Sequence, residues 1–300
     1  MKDLPEKDKL LDEIVLTNEL VWSKRVSKDT INDWLSNFNG EVFIKEYEEK
    51  LALWLLSNFV FYNEQEVSHL CRTIYREYLH SRLIDVTTGS IDKRLDNIYS
   101  TSMYSSLGTQ GESGSMILYL FRTANGIGKR DIISNPSTIR TNTESVIFID
   151  DVTLSTYKDS QAWQYLKKEI KKYSNYSIYL LTLIASDNAI NFLKSKRINV
   201  LNAITLTNEN KAFHYSSNVF NLNGDHKDNA KKFAEYYGKK CNPDDPLGHS
   251  NGQYLFGFYF NIPDNTLPII WSKNNNWKPI FERRHKNYGK TKSDELGYFL

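Results

Sequence analysis

The feature that most constrains the fold is a regular alternation between residues 146 and 206. Short, mostly apolar runs at 146–149, 177–185 and 200–206 are separated by segments whose apolar residues recur at helical spacing. Apolar runs of this length are typical of strands buried on both faces of a sheet. Because the runs alternate with helices, the sequence predicts an α/β core with a parallel sheet and right-handed crossovers.

A second pattern precedes this series. Residues 101–107 are predicted to form a strand, the segment GTQGESG follows at 108–114, and residues 115–123 are apolar enough for a buried helix. A strand, a glycine loop and a helix in this order present backbone N–H groups to an anion at the helix N-terminus. Because open parallel sheets bind ligands beyond the carboxyl ends of their strands, we expect the functional residues after 107, 149 and 185.

The flanking regions have different patterns. Helical periodicity predicts helices near 29–35, 47–61, 64–83 and 226–240, and residues 254–260 and 269–271 are predicted to be short strands. We therefore expect three regions along the chain: a helical N-terminal cap (1–98), the α/β core (99–215) and a C-terminal hood (216–300). The cap and the hood are expected to close over the carboxyl edge of the sheet, because a small-molecule site needs a concave surface.

Composition excludes several classes of protein. The 38 basic and 36 acidic residues nearly balance, so net charge alone does not indicate a nucleic-acid partner. Cys71 and Cys241 have no CxxC partner, which excludes the usual zinc spacings and a disulfide framework. The N-terminus has no signal-peptide pattern, and no apolar stretch approaches the roughly 18 residues of a membrane span. The sequence predicts a cytoplasmic protein without a membrane partner.

The sharpest local feature is the segment VIFIDDVTLST at 146–156. An apolar strand is predicted to end in Asp150 and Asp151, and a loop rich in hydroxyl groups follows. Two carboxylates there can accept hydrogen bonds from a vicinal diol, and the hydroxyls and backbone N–H groups before the next helix can bind a phosphate. Two alternatives stay open: a metal-binding carboxylate pair like that of a Walker B strand, and a simple polar turn. A P-loop NTPase is excluded because the chain contains no GxxxxGK[ST].

This segment resembles the phosphoribosyl diphosphate motif of phosphoribosyltransferases. The resemblance implies that Asp150 and Asp151 are catalytic, hold the ribose hydroxyls and contribute to a Mg²⁺ site. It implies phosphate binding by Thr153, Ser155, Thr156, Tyr157 and Lys158. The loop at 108–114 resembles the diphosphate loop of that family, which implies diphosphate contacts from Gly111, Glu112, Ser113 and Gly114. Arg122 is a further candidate for the diphosphate.

A longer resemblance covers most of the chain. Several pieces look like the phosphoribosyltransferase-like proteins of bacterial anti-phage (conflict) loci; they lie at 34–38, 112–114, 121–122, 146–151, 246–248, 261–271 and 277–281. The resemblance implies a phosphoribosyltransferase-type core that binds phosphoribosyl diphosphate or a nucleotide. It further implies that an N-glycosidic bond is made or broken, and that partner proteins come from a defence locus.

Two other functions remain as alternatives. The segment 154–158 lacks the glycines that phosphoribosyltransferases place in their phosphate loop, where glycine permits positive φ angles and close backbone approach. This departure favours a non-catalytic subunit that senses a nucleotide or binds a partner. The basic run 167–172 raises a nucleic-acid substrate as the other alternative.

Overall fold

The structure is a computed structural model of the chain, and it describes residues 4–85, 88–107, 113–154, 161–220 and 224–283. The α-helices are α1 (Lys7–Leu20), α2 (Lys28–Leu35), α3 (Lys45–Ser57), α4 (Glu64–Asp85), α5 (Ile91–Thr101), α6 (Ser113–Asn125), α7 (Gln161–Lys172), α8 (Asp187–Ser195), α9 (Gly224–Cys241) and α10 (Pro268–Trp271). The strands are β1 (Val60–Tyr62), β2 (Ser102–Ser106), β3 (Ser145–Thr153), β4 (Ser177–Ser186), β5 (Asn199–Leu206) and β6 (Phe256–Phe258). Within the described residues, no helix combines the length and the apolar character that crossing a membrane requires.

The main sheet has four parallel strands in the order β2-β3-β4-β5. Tyr104 in β2 pairs with Ile147 of β3 on one side and forms a parallel bridge to Ile132 on the other. The chain therefore runs from β2 through α6 to Ile132, which bridges to the outer edge of β2. It then returns to the other side of β2 and forms β3. If the bridge is counted as a strand, this is the 2-1-3-4-5 order of a doubly wound α/β sheet.

Helices cover both faces of this sheet. On the first face, which we call the α4 face, Ile74 of α4 and Phe121 of α6 pack with Ile147 and Leu181 of the sheet. On the opposite face, the α7 face, the buried residues come from α7, α8 and the alternate positions of the strands: Val146, Phe148, Trp163, Leu166, Leu180 and Leu193. Because strands β3 and β4 are buried on both sides, the apolar runs 146–149 and 177–185 are explained by packing, and the predicted α/β class with a parallel sheet is confirmed.

The direction of winding reverses between β2 and β3. The connection that follows β2 runs over the α4 face, whereas the connection that follows β3 runs over the α7 face. The two connections thus diverge from neighbouring strands, and their divergence leaves a crevice at the carboxyl ends of β2 and β3. Doubly wound sheets bind ligands at this switch point.

The N-terminal helices and the C-terminal region form a second hydrophobic core together. Phe38, which follows α2, lies with its ring centroid 4.9 Å from that of Phe233 in α9 and 5.5 Å from that of Trp277. The indole N–H of Trp34 donates to the carbonyl of Ile269 at 2.7 Å, and β1 pairs in parallel with β6. Residues from both ends of the chain therefore share one core. The boundaries at 98 and 215 stay a prediction.

Several sequence predictions were wrong in detail. Helix α3 ends at Ser57, because the chain then turns into β1, so residues 58–61 are not helical. Residues 269–271 belong to a helix that begins at Pro268, where the fixed φ angle of proline suits the first helical position. Strand β3 does not end before Asp150 but continues through both acids to Thr153. Helix α5 was not among the helices predicted from the sequence.

A buried carboxylate organises the turn between α2 and α3. Glu48 is fully buried, and its two oxygens accept hydrogen bonds from the backbone N–H groups of Gly40, Val42 and Phe43 at 2.7–3.0 Å. The hydroxyl of Tyr237 in α9 donates to the same carboxylate at 2.6 Å. Burial and this hydrogen bond raise the pKa of Tyr237 to about 12. One side chain thus joins the N-terminal helices to α9.

We expect Glu48→Ala to lower the free energy of unfolding by about 3 kcal/mol, because three backbone donors would lose their acceptor inside the protein. Tyr237→Phe is the comparison variant. It removes a hydroxyl that bonds Glu48, Asn39 and the backbone N–H of Glu41, but it leaves the three backbone donors with their carboxylate acceptor, so it should cost less than Glu48→Ala, about 1–2 kcal/mol. Urea unfolding measures both values. Equal stabilities of Glu48→Ala and the wild-type protein would contradict this account of the second core.

Candidate functional site

Strand β3 carries the two acids to the carboxyl edge of the sheet. Asp151 is nearly buried, with 8% of its surface exposed, and Asp150 is half-buried. Consecutive residues of a strand point to opposite faces, so the two carboxylates leave β3 on different sides. Asp151 also accepts a hydrogen bond at 3.0 Å from the backbone N–H of Val152. Both acids therefore lie in β3 itself, beside the crevice between β2 and β3.

The regular alternation of side chains breaks at this level of the sheet. In the pairing of β3 with β4, Asp150 pairs with Thr182 and Val152 pairs with Ile184. Leu183 and Ile184 are consecutive residues of β4, yet both pack into the cluster of the α4 face, whereas regular alternation would place them on opposite faces. As a result the hydroxyl of Thr153 lies 3.4 Å from a carboxylate oxygen of Asp150 and 3.4 Å from the hydroxyl of Thr182. Three polar side chains thus meet at the carboxyl edge.

The polar character continues across the sheet. Asp150 is paired in register with Thr182, and Thr182 is paired with Asn202 of β5. The Asn202 amide donates to the hydroxyl of Thr205 at 2.8 Å, which repeats the three-residue spacing of Asp150 and Thr153. We did not identify Thr182, Asn202 or Thr205 from the sequence. The available signal was their position as polar residues inside the apolar runs 177–185 and 200–206.

Leu107 and Gly114, described residues on either side of segment 108–112, lie close to the same edge. The backbone N–H of Leu107 donates to the carbonyl of Ile149 at 3.0 Å, directly before Asp150. Gly114, in the first turn of α6, lies against Leu107, and a Cβ atom at Gly114 would collide with the Leu107 carbonyl oxygen. Glycine is therefore required at this position by packing alone. Close contact between helix and strand brings the start of α6 near the two acids.

Part of the predicted site lies outside the described residues. Asp150, Asp151, Thr153 and Gly114 are described, and so is the backbone of Ser113. The other predicted contacts lie outside: Gly111, Glu112, Ser155, Thr156, Tyr157 and Lys158. The described members come together at the carboxyl ends of β2 and β3, where the sequence placed the site.

Other candidates from the sequence lie elsewhere. Arg122 is in the last turn of α6, at the opposite end of the helix from the glycine loop. Its guanidinium donates to the carbonyl of Ile127 at 3.5 Å and lies over the ring of Tyr119, so none of these contacts supports a role at the diphosphate, and that role stays a prediction. The basic run at 167–172 occupies the second half of α7, away from the helix end that follows β3.

The C-terminal segments 246–248 and 261–271 contact each other through close backbone packing and hydrogen bonds within the hood. Gly248 has a φ angle of +88°, and its backbone approaches that of Asn265 so closely that a Cβ atom would not fit. The Asn265 amide donates to the carbonyl of His249 at 3.0 Å, and the Trp271 indole donates to the carbonyl of Thr266 at 2.8 Å. These contacts explain why the segments at 246–248 and 261–271 contain glycine, asparagine and tryptophan.

The hood reaches the carboxyl edge of β4. Tyr254 is buried next to the start of α8; burial, and secondarily the charge of Asp187, raise the pKa of Tyr254 to about 12. Asp187 is the first residue of α8 and follows the last residue of β4. Tyr254 itself packs in the cluster of the α4 face with Leu183 and Ile184 of β4, so the C-terminal region contacts the main sheet.

The donor set at this edge suits a magnesium ion. Carboxylate oxygens are hard ligands of the kind that Mg²⁺ prefers, and Mg²⁺ commonly binds one or two carboxylates together with the phosphates of a substrate. Asp150 or Asp151 would be the protein ligand, because their carboxylates leave β3 on different sides. Among the described residues, no three His, Cys, Asp or Glu side chains are grouped to hold a metal by themselves.

Fold and site together define a doubly wound α/β protein with two carboxylates and a glycine loop at its switch point, which is the phosphoribosyltransferase-type core that the sequence indicated. The family model of PRTase-CE matches residues 31–283. The chain therefore belongs to the PRTase-CE family and is a phosphoribosyltransferase-like protein. No curated protein and no solved structure matches it.

We expect Gly114→Ala to destabilise the protein by about 2 kcal/mol, because the new methyl group would force α6 away from β2. Gly128→Ala is the matched control. Gly128 has an ordinary φ angle of −69°, and its nearest neighbour is a side-chain oxygen of Asp131, which can move. Thermal or urea unfolding measures both variants. A Gly114→Ala protein as stable as Gly128→Ala would contradict the close helix–strand contact.

The two cysteines are inert according to the structure. Cys71 and Cys241 are fully buried, and burial raises the pKa of each thiol to about 12. The nucleophilic thiolate is therefore scarce near neutral pH. We expect a thiol reagent at pH 8 to label neither cysteine in the native protein and both in denaturant. Rapid labelling of a native cysteine would contradict this burial.

Proposed function

We propose that this protein binds a ribose phosphate, as phosphoribosyl diphosphate or a nucleotide, at the carboxyl edge between β2 and β3. One carboxylate or both, from Asp150 and Asp151, accept hydrogen bonds from the ribose hydroxyls. The segment that follows Leu154 binds the 5-phosphate, and the loop before Gly114 binds the diphosphate. The observation that carries the proposal is that both acids lie near the carboxyl end of β3, where the close β2–α6 contact and the reversal of winding also lie.

The proposed reaction makes or breaks an N-glycosidic bond at C1′. In the synthetic direction the bond between C1′ and the diphosphate oxygen breaks, and the diphosphate leaves with the electron pair. A base nitrogen then bonds to C1′ and loses its proton to solvent or to a basic group. Because the transition state resembles an oxocarbenium ion, the protein contributes charge placement and orientation, and no covalent intermediate is needed. In the reverse direction a nucleotide is cleaved by diphosphate.

Mg²⁺ belongs to this proposal. Asp150 or Asp151 would hold it, and when bound it would neutralise charge on the leaving diphosphate. This arrangement agrees with the carboxylate donor set, because the substrate supplies the remaining oxygen ligands.

The biological setting that we propose is bacterial anti-phage defence, with partner proteins encoded at the same locus. The support is the resemblance of the dispersed motifs from residue 34 to residue 281. The family match over residues 31–283 spans the same pieces. We propose cytoplasmic location for the same reason.

One observation favours a second candidate, a non-catalytic nucleotide sensor. The segment 154–158 contains no glycine, and a β-branched residue such as Thr156 avoids the left-handed conformation that a tight phosphate loop requires. A sensor would bind the ligand and leave it intact. Mass spectrometry after long incubation with phosphoribosyl diphosphate and nucleotides distinguishes the two: products indicate the enzyme, and a bound, unchanged nucleotide indicates the sensor.

We expect Asp150→Asn and Asp151→Asn each to weaken the binding of phosphoribosyl diphosphate with Mg²⁺ by at least about tenfold. Each variant loses a charge-assisted hydrogen bond or a magnesium ligand. Asp228→Asn, at an exposed position on α9, is the matched control and should bind as the wild-type protein does. Isothermal titration calorimetry measures the affinities. If both site variants release the same heat as the wild type, the proposed site is wrong.

A further inference from the structure

The main sheet is irregular at the level of the candidate site. In β4 the consecutive residues Leu183 and Ile184 both pack in the cluster of the α4 face, and in β5 the consecutive residues Ala203 and Ile204 do the same. Regular alternation would place the members of each pair on opposite faces. Because Ile184 pairs with Ile204, the two irregularities lie side by side in neighbouring strands.

Strand β3 has the same irregularity. Ile149 and Val152 pack in one cluster, although an odd spacing along a regular strand would place them on opposite faces. The change of side therefore falls between these two residues. It brings Asp150 and Thr153 to one side of the sheet, whereas a regular strand would separate two side chains that are three residues apart. The irregularity is thus what allows the two side chains to interact.

The hydroxyl of Thr153 is the group that the irregular sheet brings to Asp150. It donates toward a carboxylate oxygen of Asp150 and toward the hydroxyl oxygen of Thr182, each at 3.4 Å. Thr182 is fully buried, and its own hydroxyl donates to the carbonyl of Ile184 at 3.1 Å, inside the irregular part of β4. Thr182 therefore meets Thr153 as an acceptor. Hydrogen bonds of catalytic groups are often long before the substrate binds and shorten in its complex.

Burial distinguishes two roles for this hydroxyl. The sequence resemblance implies that Thr153 binds phosphate, which requires a hydroxyl that faces the substrate. The Thr153 residue is only 7% exposed. Within the part of the chain that the structure describes, its hydroxyl contacts Asp150 and Thr182. This surrounding suits a group that acts on Asp150 better than one that binds a phosphate directly.

We propose that Thr153 is a positioning residue for Asp150. This inference rests on the proposed function, because it presupposes that Asp150 receives the ribose hydroxyls. The terminal torsion of an aspartate side chain is broad, so a donor at one oxygen selects one orientation of the carboxylate. Thr153 thereby orders Asp150 before the sugar arrives, and less ordering entropy is lost on binding.

A double-mutant cycle tests whether Thr153 acts through Asp150. Calorimetry with Mg²⁺ compares ribose 5-phosphate with 2-deoxyribose 5-phosphate, which retains the phosphate and lacks one of the hydroxyls. The variants are Thr153→Val, which removes the hydroxyl and keeps the shape of the side chain, Asp150→Ala, which removes the acceptor, and the double variant. Thr153→Ser retains the hydroxyl and is the conservative variant.

The expected result is a loss that depends on Asp150 and on the sugar hydroxyl. We expect Thr153→Val to weaken ribose 5-phosphate binding by about fivefold, the effect of one lost hydrogen bond, and 2-deoxyribose 5-phosphate binding by less than about twofold. In the Asp150→Ala background the same change should alter the affinity by less than about twofold, because coupled residues are not additive. Thr153→Ser should bind within about twofold of the wild type.

Thr123→Val is the matched control, because it makes the same chemical change at an exposed site. The Thr123 hydroxyl donates to the carbonyl of Tyr119 at 2.9 Å, near the end of α6 that lies away from the glycine loop. This variant should bind both sugar phosphates as the wild-type protein does. If Thr153→Val does not fold, Thr153→Ala removes the same hydroxyl without a new methyl group and is judged by the same criteria.

The other outcomes each overturn a defined claim. If Thr153→Val binds ribose 5-phosphate as the wild type does while Asp150→Ala binds weakly, Thr153 is not a positioning residue, and the proposed function stands. If Thr153→Val weakens both sugar phosphates equally and keeps its full effect in the Asp150→Ala background, Thr153 acts independently of Asp150, and the inference is wrong. If Asp150→Ala binds as the wild type does, or the wild type binds neither probe, the proposed function fails, and the inference fails with it.

Discussion

Strand β3 is the constraint on which the rest of the structure depends. Helices cover it on both faces, and strands flank it on both sides, so residues 146–149 must be apolar. Polar residues can follow only where the helices end, at the carboxyl edge. Burial therefore places Asp150 and Asp151 at the switch point, where the winding reverses and a ligand can enter. Packing of β3 therefore determines where the two acids of the candidate site lie.

The site depends on both cores of the protein. The sheet presents the acids, and Tyr254 of the C-terminal region packs on this sheet with Leu183 and Ile184 of β4. That region is itself held by the N-terminal helices through Trp34 and Glu48. A change in the second core can therefore alter the site without a contact to any ligand.

Sequence periodicity predicted the sheet because a doubly buried strand must be apolar over its whole length. It did not predict that β3 continues through Asp151, because an acid in a strand is indistinguishable from an acid in a turn until the neighbouring strand is placed. The pairing of Asp150 with Thr182 depends on register, which the apolar pattern does not encode for doubly buried strands. Residues 269–271 were predicted to form a strand, because an apolar run this short fits a strand as well as a helix. In the structure they are helical, and Pro268 stands at the first position of the helix, where its fixed φ angle is suitable.

The central claim is that the carboxyl edge of β3 holds a sugar phosphate. A crystal structure of the protein with ribose 5-phosphate and Mg²⁺ tests it most directly. The account predicts ribose hydroxyls within hydrogen-bond distance of Asp150 or Asp151, with the phosphate against residues 155–158. A ligand bound at any other surface would contradict it. The absence of ligand at saturating concentration, with both acids engaged by basic side chains of the protein, would contradict it equally.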